Sequence, residues 1–210
     1  MDLRKNFLLL VVLVVSFLLL AISIINKNGF IIMLDQNVAS FVANIRFPAL
    51  DTIMIFITNL GEMYEDLVLL VIFAIFLLIK HKKHRFYALM IATSLGIASA
   101  EVIKISVGRA RPLSDLISET GYSFPSIHAT ISTIFLLSIV FLMVPLIQNI
   151  ILKRIAFITT LVIFPLIALS RIYLSVHFTS DIIAGIVLGL ICYFASFILI
   201  FHKHIDIAVK

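Results

Sequence analysis

Residues 7–25 carry no charged side chain. An apolar run of that length matches the roughly 20 residues that a helix needs to cross a bilayer. A backbone in lipid has to satisfy its own polar groups, which leaves helices or closed barrels as the spanning structures. Five more apolar runs follow, at residues 66–79, 86–107, 128–147, 155–173 and 179–201. The second is short, and its start falls near Glu62 if the helix is to be longer. Composition agrees: 62% of the residues are hydrophobic and 13% charged, with a mean hydropathy of +1.22, against about 45–50% and 25% in soluble domains. The expectation is an all-α, polytopic membrane protein of six transmembrane helices, forming one membrane-embedded domain over residues 1–210.

Arg4 and Lys5 ahead of the first run give it the start of a signal peptide, and Ala21-Ile22-Ser23 resembles a cleavage triplet. The run exceeds the roughly 7–15 residues of a signal's apolar region, so an uncleaved span is expected. Residues 26–65 are more mixed. Leu34, Val38, Phe41, Val42 and Ile45 recur with helical period, and Leu50, Ile53, Met54 and Ile57 do so after Pro48. These positions predict two interfacial helices between the first and second spans, lying along the membrane. The alternative is that residues 50–60 dip into the bilayer as part of the second span.

Lysine and arginine set the orientation. With the N-terminus cytoplasmic, Arg4, Lys5, Lys80, Lys82, Lys83, Arg85, Lys153, Arg154, Lys203 and Lys210 lie inside, and Lys27, Arg46, Lys104, Arg109, Arg111 and Arg171 outside. Both termini are therefore expected in the cytoplasm. The net charge of +5 comes from scattered residues and not from a basic stripe with interleaved aromatics, so nucleic acid is not an expected partner. Cys192 sits alone in an apolar run and reads as packing. His81, His84, His202 and His204 lie in lysine-bearing cytoplasmic stretches with no set of carboxylates or cysteines to complete a site. No metal and no cofactor are expected.

Three polar clusters fall at the outer ends of spans. The third run ends in Lys104, Arg109, Arg111 and Pro112; the fourth begins at Pro125, Ser126, Ile127 and His128; Ser170, Arg171, His177 and Asp181 lie around the last turn. Singly, each has a plain structural reading: snorkelling cations, a polar helix start, an ion-pair network. Ionisable groups at membrane depth are costly enough that several together point to function, and one anion pocket accounts for all three. A phosphoryl group in transfer spreads charge over its equatorial oxygens, so catalysis rests on positioning and electrostatics. Lys104 offers a point charge, and Arg111 and Arg171 offer planar forks. Ser126 adds a hydroxyl, and backbone N–H groups around Ile127 point at an anion from a helix start.

A histidine nucleophile must present one neutral nitrogen while the other is held. Asp181, four residues after His177, is placed to accept the Nδ1 proton if a helix has begun by then. His128 is then the acid that protonates the leaving oxygen and later the base that activates water. Arg109, Glu101 and Ser170 are possible substrate contacts: Arg109 for a second phosphate, or as an interfacial anchor, and Glu101 through Lys104. Asp115 and Glu119 read as a solvated loop face.

The pattern Lys-x6-Arg-Pro, Pro-Ser-Gly-His and Ser-Arg-x5-His-x3-Asp marks the type-2 phosphatidic acid phosphatase superfamily. This sequence resembles it at Lys104, Arg111, Pro112, Pro125, Ser126, His128, Ser170, Arg171, His177 and Asp181; ten of the eleven motif residues are present. The resemblance implies metal-independent hydrolysis of a lipid phosphomonoester or pyrophosphate through a phosphohistidine, at an outward-facing site of a bacterial cytoplasmic membrane. Undecaprenyl pyrophosphate stands first among its substrates, then phosphatidylglycerophosphate or phosphatidate. A lipid phosphotransferase and a non-catalytic lipid-phosphate binding or transport protein are the alternatives. The departure is Ile127, where the family has glycine. A stiff branched side chain there either narrows the pocket or turns into the bundle.

Overall fold

The computed structural model describes the backbone of residues 3–205. The side chains at positions 1–4, 63–64 and 202–210 lie outside the described residues, and with them the expectations for Arg4, His202, Lys203, His204 and Lys210. Among the described residues the chain is all helical. Helices α1 (Leu3–Ile25), α2 (Gly29–Ile45), α3 (Pro48–Asn59) and α4 (Met63–Ile79) are followed by α5 (Lys83–Val107), α6 (Ile127–Leu137), α7 (Ile150–Tyr173) and α8 (Thr179–Ile205). A π-helical segment, Ser138–Met143, and a 3-10 turn, Val144–Leu146, prolong α6.

Five of these helices are long and apolar enough to cross a membrane: α1, α5, α6 with its extension, α7 and α8. The expected second span corresponds to α4, which has 17 residues, a little under the usual crossing length. It starts at Met63, as the position of Glu62 suggested, and α5 and α7 start three and five residues earlier than their apolar runs.

The starts and stops follow local chemistry. Asn28 and Asn149 cap α2 and α7 by accepting the Phe30 N–H and those of Ile151 and Leu152. Pro48 opens α3, where its missing N–H costs nothing. Gly108 closes α5 in the left-handed region, at φ +64°, a conformation that favours glycine. It turns the chain into the long connection to α6.

The bundle is organised around α8, which packs against α1, α5 and α6. Its glycines at positions 185 and 189 face α6. A Cβ on Gly185 would lie 2.5 Å from the Ser126 carbonyl oxygen, and one on Gly189 2.7 Å from that of Thr130. This spacing of small residues lets two membrane helices touch backbone to backbone. It draws the N-terminal ends of α6 and α8 together, where the Ser126 N–H donates to the Asp181 carbonyl at 3.1 Å.

Helices α2 and α3 are both present in the 26–65 region. The buried face of α2 is Asp35 and Val42, whereas Phe41 and Ile45, assigned to the packed stripe by period, are exposed. A small core of Val42, Tyr173, Leu174 and Val176, flanked by Val38, Leu50 and Met54, joins α2 and α3 to the α7–α8 turn. Replacing Gly185 by Val sets a side chain against a backbone carbonyl that cannot yield. Overpacking of about 1–3 kcal/mol lowers the Tm on the order of 5 °C in detergent. Gly29→Ala, whose Cβ meets nothing within 4 Å, leaves the Tm unchanged in the same thermal melt.

Candidate active site

The C-terminal ends of α5 and α7 and the N-terminal ends of α4, α6 and α8 meet at one end of the bundle. Arg171 lies in the last turn of α7 and is fully buried. Its Nη1 donates to Thr58 Oγ1 at 2.8 Å, its Nη2 pairs with the Glu119 carboxylate, and Glu62 Oε1 lies 3.6 Å from Nη1. Its Nε is buried without a partner. Burying an unpaired guanidinium is prohibitive, so these partners hold the group in place.

His177 sits in the α7–α8 turn, 2% exposed. Arg111 Nη1 lies 3.1 Å from its Nε2 and donates at 2.9 Å to the Val176 carbonyl. A guanidinium has no acceptor, so Nε2 is the acceptor in this contact and the proton resides on Nδ1. Nδ1 lies 3.6 Å from Asp181 Oδ2, within ion-pair range but beyond hydrogen-bond length. Burial pushes the imidazole down to about 4; Asp181 works against that shift, and Arg111 and Arg171 work with it. Helix α8 begins at Thr179, so His177 precedes it and does not share its face with Asp181 by helical period. Asp181 is instead fixed in the first turn, where Oδ2 accepts the Phe178 N–H at 2.9 Å, as acidic residues at the third helical position do.

His128 is in the first turn of α6, its Nε2 3.6 Å from Glu62 Oε1. A chain of charged contacts therefore runs from His177 through Arg111, Glu119, Arg171 and Glu62 to His128. Lys104 is buried near this cluster and donates to the Tyr122 carbonyl at 2.9 Å. The Ser126 hydroxyl oxygen caps α6 by accepting the Ala129 N–H at 3.3 Å, which leaves its own proton to donate. Ile127 is half-buried against the main core, so its side chain turns into the bundle, and its N–H belongs to the helix turn that lacks intrahelical acceptors.

The three possible substrate contacts are placed differently. Arg109 is held within the protein: it donates to Asp35 Oδ2 at 2.7 Å and to Asp181 Oδ1 at 2.6 Å. Ser170 is fully buried and donates to the Ile167 carbonyl at 2.7 Å. Glu101 is exposed on α5. Asp115 is exposed and bonds Arg46. Glu119 corrects the solvated-face expectation, since it is drawn inward by Arg171. Burial raises its carboxyl, but the hydrogen bond and charge of Arg171 outweigh that and hold it below the ordinary range.

Asp35, Thr58 and Glu62 are the participants not anticipated. Asp35 had a signal, being a carboxylate beside the apolar stripe of α2; Thr58 had none. Glu62, Glu119 and His128 offer three ligand atoms within 4.8 Å of one another, as a cation site would. The Arg171 guanidinium lies against both carboxylates and supplies a positive charge there. A cavity of about 490 Å³ between Arg111, Pro112, Glu119 and Val176 opens onto the site.

Two histidines and two arginines, at least half-buried, thus meet at one end of an all-helical bundle. The PAP2 superfamily model matches residues 83–205, and the chain belongs to that family. It is 29% identical to phosphatidylglycerophosphatase B of Bacillus subtilis (strain 168), over 76% of this chain and 80% of that protein. The crystal structure of a transmembrane PAP2-type phosphatidylglycerolphosphate phosphatase from Bacillus subtilis superposes with a TM-score of 0.78 at 28% identity, covering 96% and 97% of the two chains. That of Aquifex aeolicus LpxE gives 0.60 at 27% identity, covering 77% of this chain and 93% of the other. These relationships place the chain among the membrane-bound PAP2 lipid phosphatases.

His177 is neutral in the fold down to about pH 4, whereas a free imidazole takes up its proton near 6.5. Between those values the unfolded chain binds the extra proton. The stability linked to His177 is whole above about pH 6.5 and declines as the pH falls toward 4. Thermal melts across that window show a steeper loss for the parent than for His177→Asn.

Proposed function

We propose that this chain hydrolyses a lipid phosphomonoester of the phosphatidylglycerophosphate kind, without a metal, through a phosphohistidine at His177. The observation that carries the reading is the buried, neutral His177 with its Nε2 lone pair turned to Arg111. The lone pair attacks phosphorus as the bond to the leaving oxygen breaks, and His128 gives that oxygen its proton. Asp181 faces the Nδ1–H of the imidazolium that results. Water then attacks the phosphohistidine, His128 takes its proton, and inorganic phosphate leaves with His177 neutral again. Lys104, Arg111, Arg171 and the first N–H groups of α6 neutralise the phosphoryl oxygens.

Undecaprenyl pyrophosphate stands second here. Arg109, the cation that a second phosphate would need, is committed to two carboxylates, and both Bacillus relatives are named for phosphatidylglycerophosphate. Six spans with both termini in the cytoplasm and an outward site also fit. Glu62, at the head of α4, reaches the site, while Ile79 ends only a few residues before α5 sets out from the far end. Helix α4 therefore runs from the site end of the bundle back to the end where α5 begins. The lipid bilayer supplies the substrate.

Phosphate release from phosphatidylglycerophosphate, phosphatidate and undecaprenyl pyrophosphate, assayed in detergent with EDTA, tests the reading. Turnover survives chelation and is greatest on phosphatidylglycerophosphate; His177→Ala abolishes it, and His128→Ala lowers kcat about 10²–10⁴-fold. A strict need for a divalent metal sinks the metal-free mechanism. Turnover that needs an added acceptor alcohol, with the phosphoryl group recovered on that alcohol and not as free phosphate, points to transfer.

A further inference from the structure

Behind His177 the structure holds a second layer of charge. Asp35, on α2, is 4% exposed and Asp181 is fully buried. Arg109 spans them, Nη2 on Asp35 and Nη1 on Asp181. Asp35 is itself anchored to the start of α8: Oδ1 accepts the Ser180 N–H at 2.9 Å and Oδ2 accepts the Ser180 hydroxyl at 2.7 Å. The guanidinium lies over the Phe178 ring, 4.1 Å from its centroid. Arg109 is thus fixed by two carboxylates, a hydroxyl and an aromatic face.

Two buried carboxylates share one guanidinium, so the group as a whole keeps one negative charge. Were Arg109 paired with Asp181 alone, the two would cancel. The imidazolium formed on phosphoryl transfer would then meet a neutral ion pair in a setting where charges are poorly screened. We propose that Asp35 is a positioning residue for the phosphoryl-transfer step: through Arg109 it orients Asp181 and preserves the negative charge that stabilises cationic His177. This rests on the reading of His177 as the nucleophile. It gives α2, which contributes no group to the phosphoryl site itself, a part in the reaction.

His177 faces Asp181, Arg111 and Arg171, and Lys104 and Arg111 also face Asp181; Asp35 meets this set through Arg109. Those cations stay constant when Asp35 or Arg109 is altered, so the net charge behind the nucleophile is the variable. Asp35→Asn lowers kcat about tenfold or more and leaves KM within about twofold, the pattern of an interaction made only in the transition state. The acid limb of kcat/KM moves to lower pH in Asp35→Asn and to higher pH in Arg109→Gln, and Asp35→Glu restores the parental limb.

A purely structural role predicts a lower yield of folded protein with kcat per folded molecule and the pH profile unchanged; that result overturns the proposal. Should Asp35→Asn fail to fold, an unshifted limb in Arg109→Gln overturns it equally. His177→Ala is run beside them. If it retains turnover, the nucleophile assignment fails; if it is dead while Asp35→Asn matches the parent, the Asp35 proposal alone fails.

Discussion

The architecture at the active end turns on the burial of Arg171. A guanidinium removed from water inside a membrane bundle keeps its charge, because it does not deprotonate, and must find its counterparts within the protein. Thr58 at the end of α3, Glu62 at the head of α4 and Glu119 from the long connection before α6 all converge on it. Three separate segments are thereby pinned to the end of α7. His128 and Arg111 are brought in as neighbours of the same carboxylates.

Helix contact supplies the rest of the geometry. The glycines of α8 allow its backbone to lie against that of α6, and the two N-terminal ends are joined by the Ser126–Asp181 hydrogen bond. The turn carrying His177 and the helix bearing His128 are therefore registered by main-chain atoms, which have little freedom to drift. On the opposite side, Val42 packs with Leu174 and Val176, so α2 and α3 floor the turn that carries His177.

Much of this was legible before the structure. The apolar runs marked the long helices, and the spacing of charged residues at their ends brought His177, His128, Arg111 and Arg171 to one place. What escaped was whatever depended on partners distant in sequence. Phe41 and Ile45 fit the period of α2 and still face outward, because a regular stripe is wider than the surface it packs against. Glu119 read as part of a solvated loop face until Arg171 was seen beside it, and Asp35 drew no reading until Arg109 was. Arg109 itself read as either a cation for substrate or an interfacial anchor, since a sequence shows the charge and not what already neutralises it. The fixed cap at Asp181 likewise followed from a turn, where helical spacing had pointed to a shared face.

The carboxylate of Glu119 resting on Arg171 has a further consequence. On the proposed function, a phosphate arriving at that guanidinium does not fill an empty seat; it exchanges with an anion already tethered there. The measured affinity of any phosphate compound is then a difference between two anions, and inhibitors with one extra charge gain less than their charge alone suggests. Departure of the product is helped by the same exchange, because a returning carboxylate is held within reach by its own chain. Since Glu119 also borders the cavity mouth, occupancy of the anion position and the shape of the entrance are tied to a single side chain.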